Sequence, residues 1–328
     1  MRTLVAVGAC YIDKILTVDH YPKEDEKLRA SSISQRRGGN ALNSLQVLQQ
    51  LLLEREQNSG TSDSETALAA TFAPLYAVAV LPRRTSPAIQ EIEASLGSRV
   101  DIQHCIYREE SSEPASSYII KSRSTGTRTI VNYNELQEMT VEEFIRIVDN
   151  LPAGPKWFHF EGRIPDVTLK CIRHIRQHYP FHKVSVEVEK PGRQGLEELA
   201  AEADVVFYSK SWAHAKGYHS PKDFLHAQSP LTPKASVLCC TWGEKGAASL
   251  DKSRMKYFHA PAFTDTRLPV VDTIGAGDTF IAGVLYGLLC HEDDYRIEAI
   301  LDFANCLAGR KVTQEGFEGL ARAMREYV

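Results

Sequence analysis

The sequence predicts an α/β fold: a three-layer domain with a mostly parallel central sheet, helices on both faces and a small β appendage. Three observations carry this. The opening run "TLVAVGA" is continuously apolar, as a central strand buried on both faces is. From about Thr140 onward helical and strand patterns alternate, which implies βαβ units. Two earlier β segments are too polar for such a core, and a small β appendage outside it accommodates them.

In chain order, "YPKEDEKLRASSISQRR" is polar and partly alternating, so the stretch of about 14–37 reads as exposed strands outside the core sheet. "GGNALNSLQVLQQLLLEREQ" reads as a helix, with Asn40 as a plausible N-cap and Ala41, Leu45, Leu48 and Leu52 at helical spacing. "EREQNSGTSDSET" holds no apolar residue and reads as a surface-loop insertion over about 54–66. "RVDIQHCIY", "ASSYIIKS" and "TRTIVNY" are strand candidates with a turn at Thr125–Thr127. Residues of about 103–133 thus form the second polar β region and pair with the first.

Then come "VEEFIRIVDNL" (helix), "KWFHFEG" (strand), "DVTLKCIRHIRQHY" (helix), "KVSVEVEK" (strand), "LEELAAEA" (helix) and "DVVFYSK" (strand). "SVLCCTW" and "GAASLD" extend the sheet, and "GAGDTFIAGVLYGLLC" and "RIEAILDFANCLAGRKV" close the fold as helices. No internal repeat interrupts this, so residues 1–328 read as a single domain.

Composition narrows the function classes. The chain has 328 residues, 43% hydrophobic, with a formal net charge of -4 and no long basic block, which argues against nucleic-acid binding. None of the 7 cysteines forms CxxC, and the pair Cys239–Cys240 would point to opposite faces of a strand. Scattered, reduced thiols point to a cytoplasmic protein. The opening run is cut short by Asp13 and reads as a strand, not a signal peptide, and no apolar run approaches a membrane span.

The chemistry concentrates in "VVDTIGAGDTFIAG". Gly275, Ala276 and Gly277 lack bulk and precede a helical run, so backbone N–H groups and the helix dipole can meet an anion such as a phosphate. Neither GxxxxGK[ST] nor a complete GxGxxG is present; Phe280 stands at the last glycine position. Asp278 is the misfit. An acid there can simply stabilise the helix dipole, or it can act as a general base on a hydroxyl attacking a γ-phosphate while the amides hold the moving group.

The string "VVDTIGAGDTF" resembles the C-terminal signature of the ribokinase-like, phosphofructokinase-B type carbohydrate kinases, and "RRGGNALNS" resembles their N-terminal one. Within that family "YPKEDEKLR", "FHFEGR" and "VSVEVEKP" are similar to the ketohexokinase subfamily, from about residue 7 to about residue 319. The resemblance implies a ribokinase-like fold with a β-clasp lid and an ATP-dependent sugar kinase. D-fructose, phosphorylated at O1, is the first-choice acceptor. Another sugar, a deoxy-keto sugar acid or a nucleoside is the alternative, and a catalytically silent sugar- or nucleotide-binding protein is the alternative of another class.

Carried over residue by residue, the resemblance makes Asp278 the catalytic base and Gly275, Ala276 and Gly277 the anion hole. Asp13, at the end of the first strand, and Asp25 of the lid would bind sugar, with Gly38, Gly39, Asn40 and Asn43 of "GGNxxN". Arg128, Lys210 and the loop Gly243, Glu244, Lys245 and Gly246 would lie along the nucleotide, and Asn305 and Gly309 would shape the adenine slot. It further implies Mg²⁺, with Glu189 reaching the metal through water, K⁺ as an activator near the last loop, and a homodimer formed through the clasp.

The chain departs from the family pattern in places. "YSKSW" stands where NxxE is common, the 54–66 segment is longer than usual, and the Gly and Asp usual after "YAVAV" are missing. Thr127 and Ile281 stand where more polar residues are common. Bland readings also stand beside the functional ones: His174 and His178 as surface residues, Trp157 as core, Trp242 as core or stacking platform, Glu161 with Arg163 as a structural ion pair. Glu187 and Glu189, two apart on one strand face, would meet solvent or a cation.

Overall fold

The computed structural model describes residues 2–59, 74–263, 268–291 and 295–325. The apolar opening run becomes β1 (Thr3–Val7). The polar stretch after it becomes β2 (Tyr11–Val18) and β3 (Ser32–Gly38), and α1 (Asn40–Ser59) follows at once. Next come β4 (Leu75–Val78), β5 (Val80–Pro82), α2 (Pro87–Leu96), β6 (Val100–Asp101) and β7 (Ile106–Arg108). β8 (Ser116–Ser122) and β9 (Arg128–Tyr133) complete the polar half.

The alternating half runs α3 (Val141–Asn150), β10 (Lys156–Phe160), α4 (Pro165–His178), β11 (Lys183–Val188), α5 (Leu196–Glu202) and β12 (Val205–Ser209). α6 (Lys210–Ala215), α7 (Pro221–Gln228), β13 (Val237–Thr241), β14 (Ala247–Asp251) and β15 (Lys256–Ala260) lead to α8 (Ala276–Cys290) and α9 (Ile297–Lys311).

A nine-stranded sheet has the order β15-β14-β13-β12-β11-β10-β1-β4-β6. It is parallel from β13 through β6, and at one edge β14 pairs antiparallel with both β13 and β15. Alternate residues of each strand feed two cores, as the pleat requires. Leu4, Ala6, Phe207 and Cys239 pack with α1, α8 and α9. Val5, Val7, Tyr208 and Cys240 pack with α3, α4, α5 and α7. The two adjacent cysteines do point to opposite faces.

α8 is buried on nearly all sides and lies between α1 and α9, which explains why it is apolar all round. α3 starts on a capping box, Thr140 with Glu143, and α2 starts on Ser86 followed by proline.

A separate four-stranded sheet, β3-β2-β8-β9, stands over one end of the large sheet. Three details differ from the sequence reading. Asp13 does not end the first strand; it sits in β2, paired with Arg36 of β3 and Ser117 of β8, because the chain turns at Gly8–Cys10 and starts the small sheet there. Ile106–Arg108 pairs with Val80–Pro82 and not with the small sheet, which takes its second half only from Ser116 onward. The expected 54–66 loop begins as helix, since α1 continues to Ser59, and residues 60–66 lie outside the described residues.

Candidate active site

A cleft of about 450 Å³ opens between the small sheet and the C-terminal ends of the parallel strands. That edge is where open α/β sheets take ligands, because helix N-termini and strand-end loops converge there. β10 delivers Glu161, β11 delivers Glu187 and Glu189, β12 and β13 deliver Ser209 and Thr241, and the start of α8 delivers Gly275, Gly277 and Asp278. Asp13, Ser117, Arg128 and Asn132 face it from the small sheet.

The α8 end is built by backbone geometry. Gly275 is left-handed at φ 78, and Phe317 packs directly beneath it. Asp278 follows in the first turn, 8% exposed. Its Oδ2 accepts from Asn43 Nδ2 at 2.8 Å, and its carbonyl accepts from Ser44 Oγ at 3.0 Å, so two neighbouring residues of α1 hold it. Burial, then the facing carboxylate of Glu187, pushes the Asp278 carboxyl well above its ordinary value; the Asn43 amide works the other way.

The "GGN" turn is dictated by space. Gly39 has φ +109, and a Cβ there would fall on the Ala9 carbonyl. At Gly38 a Cβ would stand 2.6 Å from Asp13 Oδ2. Two glycines therefore let the chain pass between β1's end and the Asp13 carboxylate. Burial raises the Asp13 pKa, while Ser117 and then Arg36, Arg37 and Arg128 lower it.

Asn40 Nδ2 donates to Glu187 Oε2 at 3.0 Å and to Glu189 Oε2 at 2.9 Å. Behind them His159 Nε2 lies 3.1 Å from Glu187 Oε1, and its Nδ1 lies 2.9 Å from Ser185 Oγ. Burial lowers His159 to about 4 and raises Glu187 above the ordinary carboxylate value. Burial followed by Glu187 likewise raises Glu161, which accepts from the Ala9 N–H at 2.9 Å. The two strand acids read as facing solvent or a cation thus differ: Glu189 is exposed and Glu187 is 3% exposed.

The structure brings Asp13, Gly39, Asn40, Asn43, Arg128, Glu189, Gly275, Gly277 and Asp278 to one cleft. Gly38 backs Asp13 from behind, and the Ala276 N–H points to the Thr273 carbonyl at 3.4 Å. Asp25 is not brought in: it lies on an exposed turn with φ 60. Lys210 Nζ pairs with Glu244 at 2.9 Å, and this pair with Gly243, Lys245 and Gly246 borders the cleft only through Ser209 and Thr241. Asn305 donates to the Pro261 carbonyl and Gly309 packs against Phe263, so both shape the 261–263 segment.

Sequence reasoning missed Lys190 and Arg193, which line the cleft, and Arg37 and His159, which lie behind it. Lys190 and Arg193 had a signal, as basic residues just after an acidic strand end. Arg163 pairs with Glu138 and Tyr11 rather than Glu161. Trp157 is core, donating to Ser185 Oγ at 2.9 Å, and Trp242 is buried against His214.

A set of oxygen acceptors near the last loop is also taken. Lys311 Nζ is fully buried and bonds the Asp272 carbonyl at 3.0 Å, Asp272 Oδ2 at 3.1 Å and the Gln314 carbonyl at 3.3 Å. No group of three His, Cys, Asp or Glu side chains suited to a metal occurs among the described residues, and none of their helices is long and apolar enough to cross a membrane.

Residues 90–321 match the pfkB family carbohydrate kinase. The chain is 31% identical to ketohexokinase of Mus musculus over 327 residues, 97% of this chain and 99% of that protein. It is similar in structure to ribokinase of Giardia lamblia, with a TM-score of 0.75 at 15% identity over 100% of this chain and 99% of the other. Arabidopsis thaliana ribokinase, solved in complex with ribose and ATP, superposes with a TM-score of 0.73 at 19% identity over 100% and 99%. The chain belongs to the pfkB family of carbohydrate kinases and has their ribokinase-like fold.

Proposed function

We propose that this kinase moves the γ-phosphoryl group of ATP to O1 of a ketohexose, D-fructose first, giving fructose 1-phosphate and ADP. The observation that carries the chemistry is the pairing of a buried carboxyl, Asp278, with the amide-rich start of α8 in one cleft. The near full-length likeness to a ketohexokinase supports the sugar.

In this reading Asp278 accepts the O1 proton. Its raised pKa moves it toward neutral pH, where a base takes a proton with a larger driving force. The backbone of Gly275 and Gly277 holds the developing negative charge, the Ala276 N–H being turned to the Thr273 carbonyl, with Arg128, Lys190 and Arg193 on the cleft walls. Asp13, Asn40 and Asn43 offer the mixed acceptors and donors that fix a polyol. Lys210, the Gly243–Gly246 turn, Asn305 and Gly309 border the nucleotide.

Mg²⁺ fits the exposed carboxylate of Glu189, a hard oxygen donor whose Oε2 is oriented by Asn40. When bound it neutralises phosphate charge, and the nucleotide and water supply most of its ligands. K⁺ has no place between Asp272 and Gln314, which Lys311 Nζ already bridges, and we assign it no step.

The homodimer belongs to the same reading. Ile33, Tyr118, Val131 and Tyr133 are exposed apolar residues of the small sheet, at 73%, 43%, 59% and 42%. A second copy clasped there would cover them and bring a second Asp25 to the cleft.

The test is ADP release across fructose, other ketoses, aldoses and nucleosides, with product analysis for the phosphorylated position and sedimentation for the assembly. Fructose inactive while ribose or adenosine turns over would overturn the sugar. Normal turnover by Asp278→Asn would overturn the base. Binding without turnover for every acceptor would make the protein a silent binder.

A further inference from the structure

An amide side chain has nearly the same shape at both edges, so only its neighbours decide which edge presents N–H groups. Asn43 is such a side chain, and it touches the reacting carboxyl through Nδ2, 2.8 Å from Asp278 Oδ2. Turned over, it would set oxygen against oxygen and oppose ionisation of Asp278 instead of supporting it.

Arg37 decides the turn. Its NH1 donates to Asn43 Oδ1 at 3.0 Å. A guanidinium has no acceptor, so the flipped amide would put N–H against N–H. Arg37 itself is fixed from the other sides: Nε donates to Ser95 Oγ at 2.9 Å, NH2 to Gln46 Oε1 at 2.6 Å, and NH1 also reaches the Gly38 carbonyl at 3.5 Å. All of these acceptors are neutral, and the side chain is 4% exposed. Burying a guanidinium without a paired carboxylate is costly, and an apolar residue would fill the space at less expense to stability.

We propose that Arg37 is a positioning residue for phosphoryl transfer: it acts on Asp278 through Asn43, holding Oδ2 and leaving Oδ1 for the acceptor hydroxyl. Oδ1 has no hydrogen-bond partner among the described residues. The inference rests on Asp278 being the general base. The charged and titratable groups around Asp278 are Glu161, Glu187 and Glu189 across the cleft, Lys311 of α9, and Arg37 itself behind Asn43.

The test is steady-state kinetics from about pH 5 to about pH 10 on wild type, Arg37→Met, Asn43→Ala, the double variant and Asp278→Asn. Arg37→Met should lose about 10- to 100-fold in kcat, as small misplacements of reacting groups do. The KM for ATP should stay within about 2-fold, and the acid limb of kcat should move up by about one pH unit, the sign expected when a donor to a carboxylate is lost. In the Asn43→Ala background the same change should cost less than about 2-fold, because residues acting in series are not additive.

An unmoved acid limb, or additive losses, overturns the positioning role. Turnover by Asp278→Asn would instead overturn the base, a separate failure. Should Arg37→Met not fold by thermal melt, Ser95→Ala and Gln46→Met loosen the same guanidinium. Each must then shift the acid limb in the same direction by a smaller step, and no shift in either overturns the proposal.

Discussion

Gly275 and Gly277 stand two apart in one motif, and replacing each by alanine should give opposite outcomes. At Gly275 the backbone is left-handed at φ 78, and an added Cβ would stand 2.6 Å from Phe317 Cε1 and closer still to Cζ. Ordinary carbon contacts are about 3.5–4.0 Å, so the ring would have to retreat by about 1 Å. It has little room: Phe317 is 5% exposed, its carbonyl accepts from Gln50 Nε2 at 2.9 Å, and Lys311 Nζ sits 5.4 Å over its ring. Left-handed strain of about 1–2 kcal/mol and overpacking of about 1–3 kcal/mol give a loss of about 2–4 kcal/mol once the stiffer unfolded chain is allowed for.

In a chain of this size that lowers the melting temperature by about 3–6 °C. At Gly277 nothing lies within 4 Å of an added Cβ, and the backbone is helical. Alanine there should leave stability level or raise it by about 0.5 kcal/mol, yet the methyl crowds the amides that face the cleft. Turnover should fall about 10-fold or more. The assays are differential scanning fluorimetry and coupled ADP release on both variants. A Gly275→Ala protein that melts like wild type, or a Gly277→Ala protein with full turnover, would refute the packing argument or the anion-hole argument respectively.

Three further outcomes follow from the same geometry. Asp278→Asn should abolish most turnover while raising stability at neutral pH: a carboxyl raised by burial contributes stability below its unfolded pKa and loses it as pH rises through the folded one. Chemical denaturation at about pH 5 and about pH 8 checks this, and the gain must be larger at the higher pH. Gly39→Ala should fail to accumulate as folded protein, since φ +109 and the Ala9 carbonyl leave the Cβ no space; soluble expression with a normal melt would contradict it. His159, lowered from 6.5 to about 4 by burial, contributes stability above its unfolded pKa that is lost as pH falls through the folded one. His159→Gln should therefore flatten the stability profile between about pH 6.5 and about pH 4, by up to about 3 kcal/mol; parallel profiles for the two proteins would count against it.

Much of the fold was legible. The helix from Asn40, the capped helix after Thr140 and the strand–helix alternation after it occupy the stretches their periodicity marks, because 3.6- and 2-residue patterns are local properties of the chain. The helix Pro87–Leu96 escaped notice although Ser86–Pro87 is a start signal, and the antiparallel edge of β14 and β15 had no local mark at all. Strand direction is decided by where a strand finds a partner, not by its own sequence.

The motifs were legible as well, and only their partners were not. "GGNALN" and "GAGD" each carry their turn in their glycines. That Asn43 meets Asp278 across 235 positions, while Asn40 turns to Glu187 and Glu189 instead, depends on how α1 packs beside α8 and below the strand ends. The sequence by itself determined the α/β class, the two turns and the family, since backbone conformation and hydrophobic period are written locally. Tertiary structure alone decided that Asp13 belongs to the small sheet, that Glu187 is buried and Glu189 exposed, and that Arg37 stands behind the base. Burial, charge and hydrogen-bond partners are properties of the assembled neighbourhood, and they set the chemistry a residue can do.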